Sequence, residues 1–272
     1  MEYNNLILRY GELFLKGENQ WTFVQALVRN VKALLGPREV KILRGRLVLP
    51  YFSGHAWLKR IFGITSYSPA LRVGKDLEEI KKAALVAFSG LKGTFRVESK
   101  RSDKSFPVQS PQINQQLGQF IEKELSLEFA RDSKQVLYIE VNQDGAYLYT
   151  EVVPCLGGLP TGVEGKVMLL LEDTASLLAG VLMMKRGCSL VVVGLKEQDI
   201  SLLQKYSPFK MEFNLLKDYS AIEDLARVKK IDILVSGQRF ENYSKIESCL
   251  TVFRPLVAYS EEEVKGEMER LK

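Results

Sequence analysis

The chain is almost without histidine: His55 is the only one in 272 residues. A histidine-ligated metal centre or a Ser-His-Asp triad therefore has next to nothing to be built from. Cysteine is scarce too. Cys155, Cys188 and Cys249 are an odd number with no CxxC spacing, which argues against a disulfide framework and a cysteine-based zinc site. No apolar run approaches the ~20 residues that a membrane span needs. The opening MEYNNLILRYGE places polar and acidic residues where a signal peptide needs a basic and then an apolar region, so the expected location is cytoplasmic, with no membrane partner. There is no internal repeat and no low-complexity tail.

What is present is ample apolar material, 46% of residues, with 26% charged. That composition and length suit two or three domains. Positive charge is concentrated at the start: residues 1–60 carry 10 Lys/Arg against 4 Asp/Glu, whereas residues 61–165 are net −1 and residues 166–272 are neutral. A basic N-terminal part suits an anionic polymer, and equally an ordinary solvated face.

The patterning changes along the chain. LILRYG (6–11) reads as a strand. Residues 19–35 space Trp21, Val24, Leu27, Val28, Val31 and Leu34 as one helical face, closed by Gly36-Pro37. Two short strands flank Arg44-Gly45-Arg46, and a helix is expected from His55 to Phe62. This β-α-β-β-α order predicts a ferredoxin-like unit over 1–60. A second α+β unit over 61–165 has strands at 65–73 and 94–101, helices at 77–88 and 112–129, and a hairpin turning at Asp144-Gly145. The glycine-rich GGLPTGVEG then reads as a connector. From 166 onward, apolar strands (167–171, 189–195, 210–216, 231–237) alternate with helices, as in a parallel sheet covered on both faces. The fold class is therefore mixed: α+β, followed by parallel α/β.

Several blocks carry a resemblance. RYGELFLKG (9–17), RGR (44–46), FGITSYSP (62–69), TFRVESKRSDKSFPVQSPQIN (94–114), GGLPTGVEGKV (157–167), LMMKRG (182–187) and FRPLVAYSEEEV (253–264) occur in the order seen in tRNA 4-thiouridine synthetases. The chain resembles these ThiI-type tRNA sulfurtransferases over nearly its whole length. The resemblance implies a ferredoxin-like domain (1–60), a THUMP RNA-binding domain (61–165) and an adenylating domain of the PP-loop type (166–272). It further implies tRNA, at its acceptor end, as the partner, and a homodimer.

One stretch departs from the family. Its SGGxDS phosphate loop falls on Leu171, Glu172, Asp173, Thr174, Ala175 and Ser176, and of the defining residues only Ser176 remains. Both glycines that let backbone N–H groups approach phosphate are carboxylates here. A carboxylate ~4 Å from a phosphate costs about 1 to 4 kcal/mol at effective dielectrics of 80 to 20. A later nucleotide-site segment of the family also departs, with Gln238 where the family has Glu. Glu172 and Asp173 read as an acidic pair favoured by a helix N-terminus, with metal binding as the lesser alternative.

Lys100, Arg101 and Lys104 beside the helix start at Asn114 are the leading phosphate contacts. Phe106 suits either a stacking platform for a base or a core plug. Arg9, Lys16, Arg44 and Arg46 are candidates for the N-terminal basic face. Cys188 and Cys249 read as inert, and no catalytic residue is identified. The expectation is a tRNA-binding protein without adenylation activity and without a cofactor, acting alone or with a tRNA-modifying enzyme. An ATP- and Mg-dependent 4-thiouridine-forming enzyme with a remodelled site, and a sensor of an adenosine-like ligand, are the alternatives.

Overall fold

The structure, a computed structural model, describes residues 2–271, the side chains of residues 12 and 14–16 excepted. Along the chain the elements are β1 (Asn5–Arg9), a 3-10 segment (Glu12–Asn19), α1 (Gln20–Leu35), β2 (Lys41–Leu43), β3 (Arg46–Pro50), a second 3-10 segment (His55–Arg60), β4 (Ser66–Val73), α2 (Leu77–Phe88), β5 (Thr94–Arg101), α3 (Ser110–Leu125) and β6 (Glu128–Phe129). Then follow β7 (Val136–Asn142), β8 (Gly145–Tyr149), β9 (Val153–Pro154), β10 (Lys166–Leu170), α4 (Thr174–Lys185), β11 (Ser189–Gly194), α5 (Ser201–Tyr206), β12 (Phe213–Leu215), α6 (Tyr219–Lys229), β13 (Ile233–Ser236), a third 3-10 segment (Phe240–Asn242), β14 (Thr251–Phe253) and α7 (Glu261–Leu271). Among the described residues no helix is long and apolar enough to cross a membrane.

Three local expectations shift. The helix expected to reach Phe129 stops at Leu125, because Ser126 turns left-handed (φ 52°) and Glu128–Phe129 pair as a strand beside β5. The segment from His55 is 3-10 rather than α-helical. The hairpin turn lies one residue earlier: Asn142 pairs with Gly145, so Gln143 and Asp144 form the loop.

The chain divides into two compact units: residues 1–10, 38–56 and 65–155, and residues 11–37, 57–64 and 156–272. The first is organised by a nine-stranded sheet ordered β2-β3-β1-β4-β8-β7-β5-β6, with β9 also on β4. Alternation along each strand gives this sheet two faces of different character. One carries Phe95, Val97, Leu137, Ile139 and Leu148 against Ile80, Ala84 and Phe88 of α2 and Ile113, Leu117 and Ile121 of α3. The other carries Ile7, Val48, Ala70, Tyr147 and Tyr149. Polar residues on this second face form the first candidate site.

The second unit holds a fully parallel sheet ordered β12-β11-β10-β13-β14. Leu178, Ala179, Val181 and Met184 of α4 pack with Leu203, Val264 and Met268 on one face; Ile222 and Ala226 of α6 pack on the other with Met168, Leu170 and Leu234. α4 lies so close to the sheet and to α5 that a Cβ on Gly180 would meet Leu169 Cδ2 of β10 at 2.7 Å and Leu203 Cδ2 of α5 at 2.9 Å. Strand order reverses between β10 and β13, and in open parallel sheets the crevice outside the carboxyl ends at such a reversal is where ligands bind.

The GGLPTGVEG stretch is a cap rather than a loose tether. Leu159 N–H donates to the Lys185 carbonyl (2.9 Å), and the N–H groups of Gly162 and Glu164 donate to that of Gly187 (2.7 and 3.0 Å). The Thr161 hydroxyl donates to the Met184 carbonyl (3.3 Å), while Asn30 of α1 donates to the Thr161 carbonyl (3.0 Å). Of the last carbonyls of α4, the connector satisfies that of Lys185 and adds a donor to that of Met184, while the N–H groups of Arg186, Cys188 and Gly187 take those of Leu182, Met183 and Met184.

Candidate functional site

Arg9, Arg46 and Glu140 come from β1, β3 and β7 and meet on the second face of the nine-stranded sheet. Arg46 grips the Glu140 carboxylate with two donors, Nε to Oε2 at 2.8 Å and Nη2 to Oε1 at 3.2 Å. Arg9 Nη2 reaches Oε1 at 3.3 Å, and the Tyr149 hydroxyl donates to the same oxygen at 2.8 Å. Arg9 also donates to Ser68 Oγ (3.1 Å) and Ser66 Oγ (3.5 Å), and its guanidinium carbon lies 4.7 Å from the centroid of the Tyr149 ring. Burial raises the Glu140 pKa, but the hydrogen bond and charge of Arg46, the charge of Arg9 and the Tyr149 hydroxyl outweigh it and hold the group below the usual carboxylate value. Burial, and then the Glu140 charge, raise the Tyr149 phenol, so it stays protonated as a donor.

Arg9 and Tyr149 also line a cleft of about 470 Å³ together with Glu98, Ser99, Lys100, Asn114, Tyr138 and Val152. Tyr138 and Tyr149 stack with centroids 5.2 Å apart. Lys100 is exposed, and Glu98 pairs with Arg96 at 2.7 Å. The Asn114 side-chain carbonyl oxygen is buried and finds no hydrogen-bond partner among the described residues. An orphaned acceptor of this kind is costly unless a ligand or water supplies a donor.

The other sequence-selected residues separate. Lys104 and Arg44 are exposed, in a loop and in the β2–β3 turn. Lys16 lies outside the described side chains. Arg101 turns into its own loop and donates to the Phe106 carbonyl. Phe106 is 4% exposed, within the core built by α2, α3 and β5, so of its two readings the core plug holds and no ring face is offered to a base. The loop between them is anchored by Asp103, which accepts from Lys75 (2.7 Å) and from the Ser105 N–H and hydroxyl. Those bonds, Lys75 first, bring the Asp103 pKa down to about 2.

In the second unit the β10–α4 turn sits at the strand-order reversal. Asp173 is the N-cap of α4 and accepts from both the Ser176 N–H and the Ser176 hydroxyl at 2.8 Å. Glu172 is exposed; loss of water around its carboxyl, and then the Asp173 charge, raise its pKa. From the other side of the crevice Gly237 closes on the helix start: a Cβ there would meet Ser176 N at 2.4 Å. Gln238 follows, held by Ser244 (2.7 Å) and Arg254 (3.0 Å). The Ser176 N–H at this helix start is thus taken by Asp173 and closely approached by Gly237, with the carboxylates of Glu172 and Asp173 beside it.

Residues 5–68 match the ThiI ferredoxin-like domain and residues 74–151 match the THUMP domain. A 4-thiouridine synthetase solved as an RNA complex with bound ATP superposes on 99% of this chain and 85% of its own, at a TM-score of 0.84 and 28% identity. This chain is a ThiI-type protein.

Further matches extend the comparison. PH1313 from Pyrococcus horikoshii Ot3 is 30% identical, with 98% of this chain and 99% of that one covered at a TM-score of 0.85. Proteins named probable tRNA sulfurtransferase are 38% identical over 208 residues in Brevibacillus brevis and 37% identical over 202 in Moorella thermoacetica. These matches take in 71% and 70% of this chain but 52% of each relative, so the chain spans about half the length of the curated relatives it matches. In ThiI-type terms, the nine-stranded sheet joins strands of the ferredoxin-like and THUMP domains, and the parallel sheet is the PP-loop-like domain. Within that domain Cys188 is buried, and desolvation followed by the Glu164 charge raises its thiol pKa. Desolvation and Glu223 likewise raise that of Cys249. Neither carries the depressed pKa of an activated thiolate.

Glu140 and Tyr149 were not among the sequence-selected residues. A signal was available: Glu140 is the lone carboxylate in VLYIEVN, set between the apolar Ile139 and Val141.

Proposed function

We propose that this chain is a tRNA-binding ThiI-type protein that receives the acceptor end in the cleft of its first unit and does not adenylate RNA. The observation that carries the reading is the meeting of Arg9, Lys100 and the unpartnered Asn114 carbonyl oxygen in one cleft beside a stacked tyrosine pair. Cations take backbone phosphate, aromatic faces take unpaired bases, and an orphaned acceptor takes an N–H donor. Lys104 and Arg44 extend the cationic surface. Residues 1–60, 61–165 and 166–272 act as the three modules, in a cytoplasmic homodimer that serves a tRNA-modifying enzyme or acts alone. No cofactor is required. The relatives named tRNA sulfurtransferase and the RNA complex of the 4-thiouridine synthetase support the partner.

The test is salt-dependent binding of a tRNA transcript. Neutralised phosphates release counterions, so log affinity falls linearly with log salt. Lys100→Ala and Lys104→Ala should each lower that slope by about one. An unchanged slope in both variants moves the interface elsewhere.

A second reading, an ATP- and Mg-dependent tRNA sulfurtransferase with a remodelled site, is supported by the retained scaffold: the ATP-bound 4-thiouridine synthetase matches it at a TM-score of 0.84. Calorimetry with ATP, with and without magnesium and tRNA, separates the two. Micromolar affinity with AMP release favours the enzyme. Under the first reading binding is absent, and the combined Leu171→Ser, Glu172→Gly, Asp173→Gly and Ala175→Asp substitutions improve it. The same calorimetry with AMP and adenosine tests for a sensor of an adenosine-like ligand.

A further inference from the structure

In the cluster behind the cleft, two guanidinium groups face one carboxylate. Geometry decides which cation is compensated. Arg46 holds Glu140 by a two-pronged fork, Nε to Oε2 and Nη2 to Oε1. Arg9 has a single longer bond, 3.3 Å, to an oxygen that Arg46 Nη2 and the Tyr149 hydroxyl already use. Paired forks are the strong form of this contact and single shared ones the weak form. The Glu140 charge is therefore mainly neutralised by Arg46, which does not line the cleft, while Arg9, which does, keeps most of its positive charge.

What Glu140 gives Arg9 is direction. Together with Ser66, Ser68 and the Tyr149 ring it holds both terminal nitrogens, and the Arg9 Nε carries no hydrogen bond among the described residues. A long, flexible cation is thereby held in one orientation before any ligand arrives, which removes the ordering cost that a free arginine would meet on binding.

We infer that Glu140 is a positioning residue for anion recognition: it lies behind the cleft, touches no ligand, and orients Arg9 toward an RNA phosphate. The inference rests on the reading of the cleft as the RNA seat. It has an unusual sign. Removing a negative charge next to an RNA site should tighten binding if the charge acts only through the field. If Glu140 positions Arg9, removing its charge should weaken binding although the protein becomes more positive.

The experiment measures binding of a fluorescently labelled tRNA transcript across a salt series for wild type, Glu140→Gln, Arg9→Ala and the double variant, with thermal unfolding run alongside. Glu140→Gln is expected to lower affinity about fivefold or more, the scale on which residues in one network couple. In the Arg9→Ala background the same substitution should have no weakening effect, because no guanidinium is left to orient. Glu140→Asp, which keeps the charge and shortens the reach, should fall between. Tighter binding by Glu140→Gln, or equal weakening with and without Arg9, overturns the inference. If Glu140→Gln does not fold, Tyr149→Phe takes its place in the cycle, since it removes one anchor of the carboxylate without altering charge. Its effect must likewise disappear without Arg9. Wild type that fails to bind tRNA, or binding indifferent to Arg9→Ala, removes the cleft reading and the inference together. Arg9-dependent binding with the wrong sign at Glu140 removes the inference alone.

Discussion

Two carboxylate centres, one in each unit, use the same chemistry to opposite ends. Glu140 lies on a sheet among side-chain cations that outnumber it, and it leaves one of them directed at a cleft. Asp173 lies at a helix start and takes up the backbone and hydroxyl donors of Ser176, with Gly237 packed closely against the same Ser176 backbone. The first arrangement keeps positive potential available to a ligand; the second uses it internally. A carboxylate near a would-be anion site therefore says little by itself. What matters is whether its partners are extra cations or the very donors that the anion would need.

The largest expected effect breaks the first centre. Glu140→Ala leaves two guanidinium groups facing each other without their common partner, and the loss of one member of a buried pair costs about 3 kcal/mol. Urea unfolding measures it. The folded pKa of Glu140 is depressed, so its contribution is fully present above the unfolded value, about 4.3, and disappears as pH falls through the folded value. Wild type should therefore lose stability with acid more steeply than Glu140→Ala; parallel curves would show that the carboxylate is not held as its contacts imply.

Breaking the second centre should cost less and add a property. Asp173→Ala removes an N-cap, about 1 kcal/mol in thermal unfolding, while Asp173→Asn keeps it. The alanine variant also frees the Ser176 N–H and removes a charge, so inorganic phosphate should stabilise it more than it stabilises wild type. No cap loss would mean that Gly237, not Asp173, closes the helix start.

The smallest effect sharpens the contrast between neighbours. Glu172 has a raised folded pKa, so its ionisation opposes folding above that value and the penalty vanishes below the unfolded one. Glu172→Gln should raise stability at pH 7 by up to about 0.5 kcal/mol, a small figure because the side chain is exposed. The gain should be absent at pH 3. A gain independent of pH would point to helix-start packing instead.

Much of this architecture was legible in the sequence because its signals are local. The apolar strands alternating with helices after residue 166 needed nothing beyond period and residue type, whereas the reading of Leu171–Ser176 rested on the resemblance to a family loop. β14 and α7 went unread: β14 is three residues long, and α7 is polar apart from Val264, Met268 and Leu271. Glu261, Glu262 and Glu263 in its first turn were the usable sign of a helix start. Lys100, Arg101 and Lys104 looked like one cluster in the sequence, yet adjacent strand residues point to opposite faces, and Arg101 turned to its own loop.

The sequence by itself determined the strand and helix periods, the excess of positive charge in the first sixty residues, and the acidic pair Glu172-Asp173 after an apolar strand, since each is a property of neighbouring residues. Only the tertiary structure decided that Arg9 donates to the carboxylate of Glu140, 131 residues away, and that Gly237 closes against Ser176. Strand order in the two sheets made those meetings, and strand order depends on long-range pairing that no local pattern encodes.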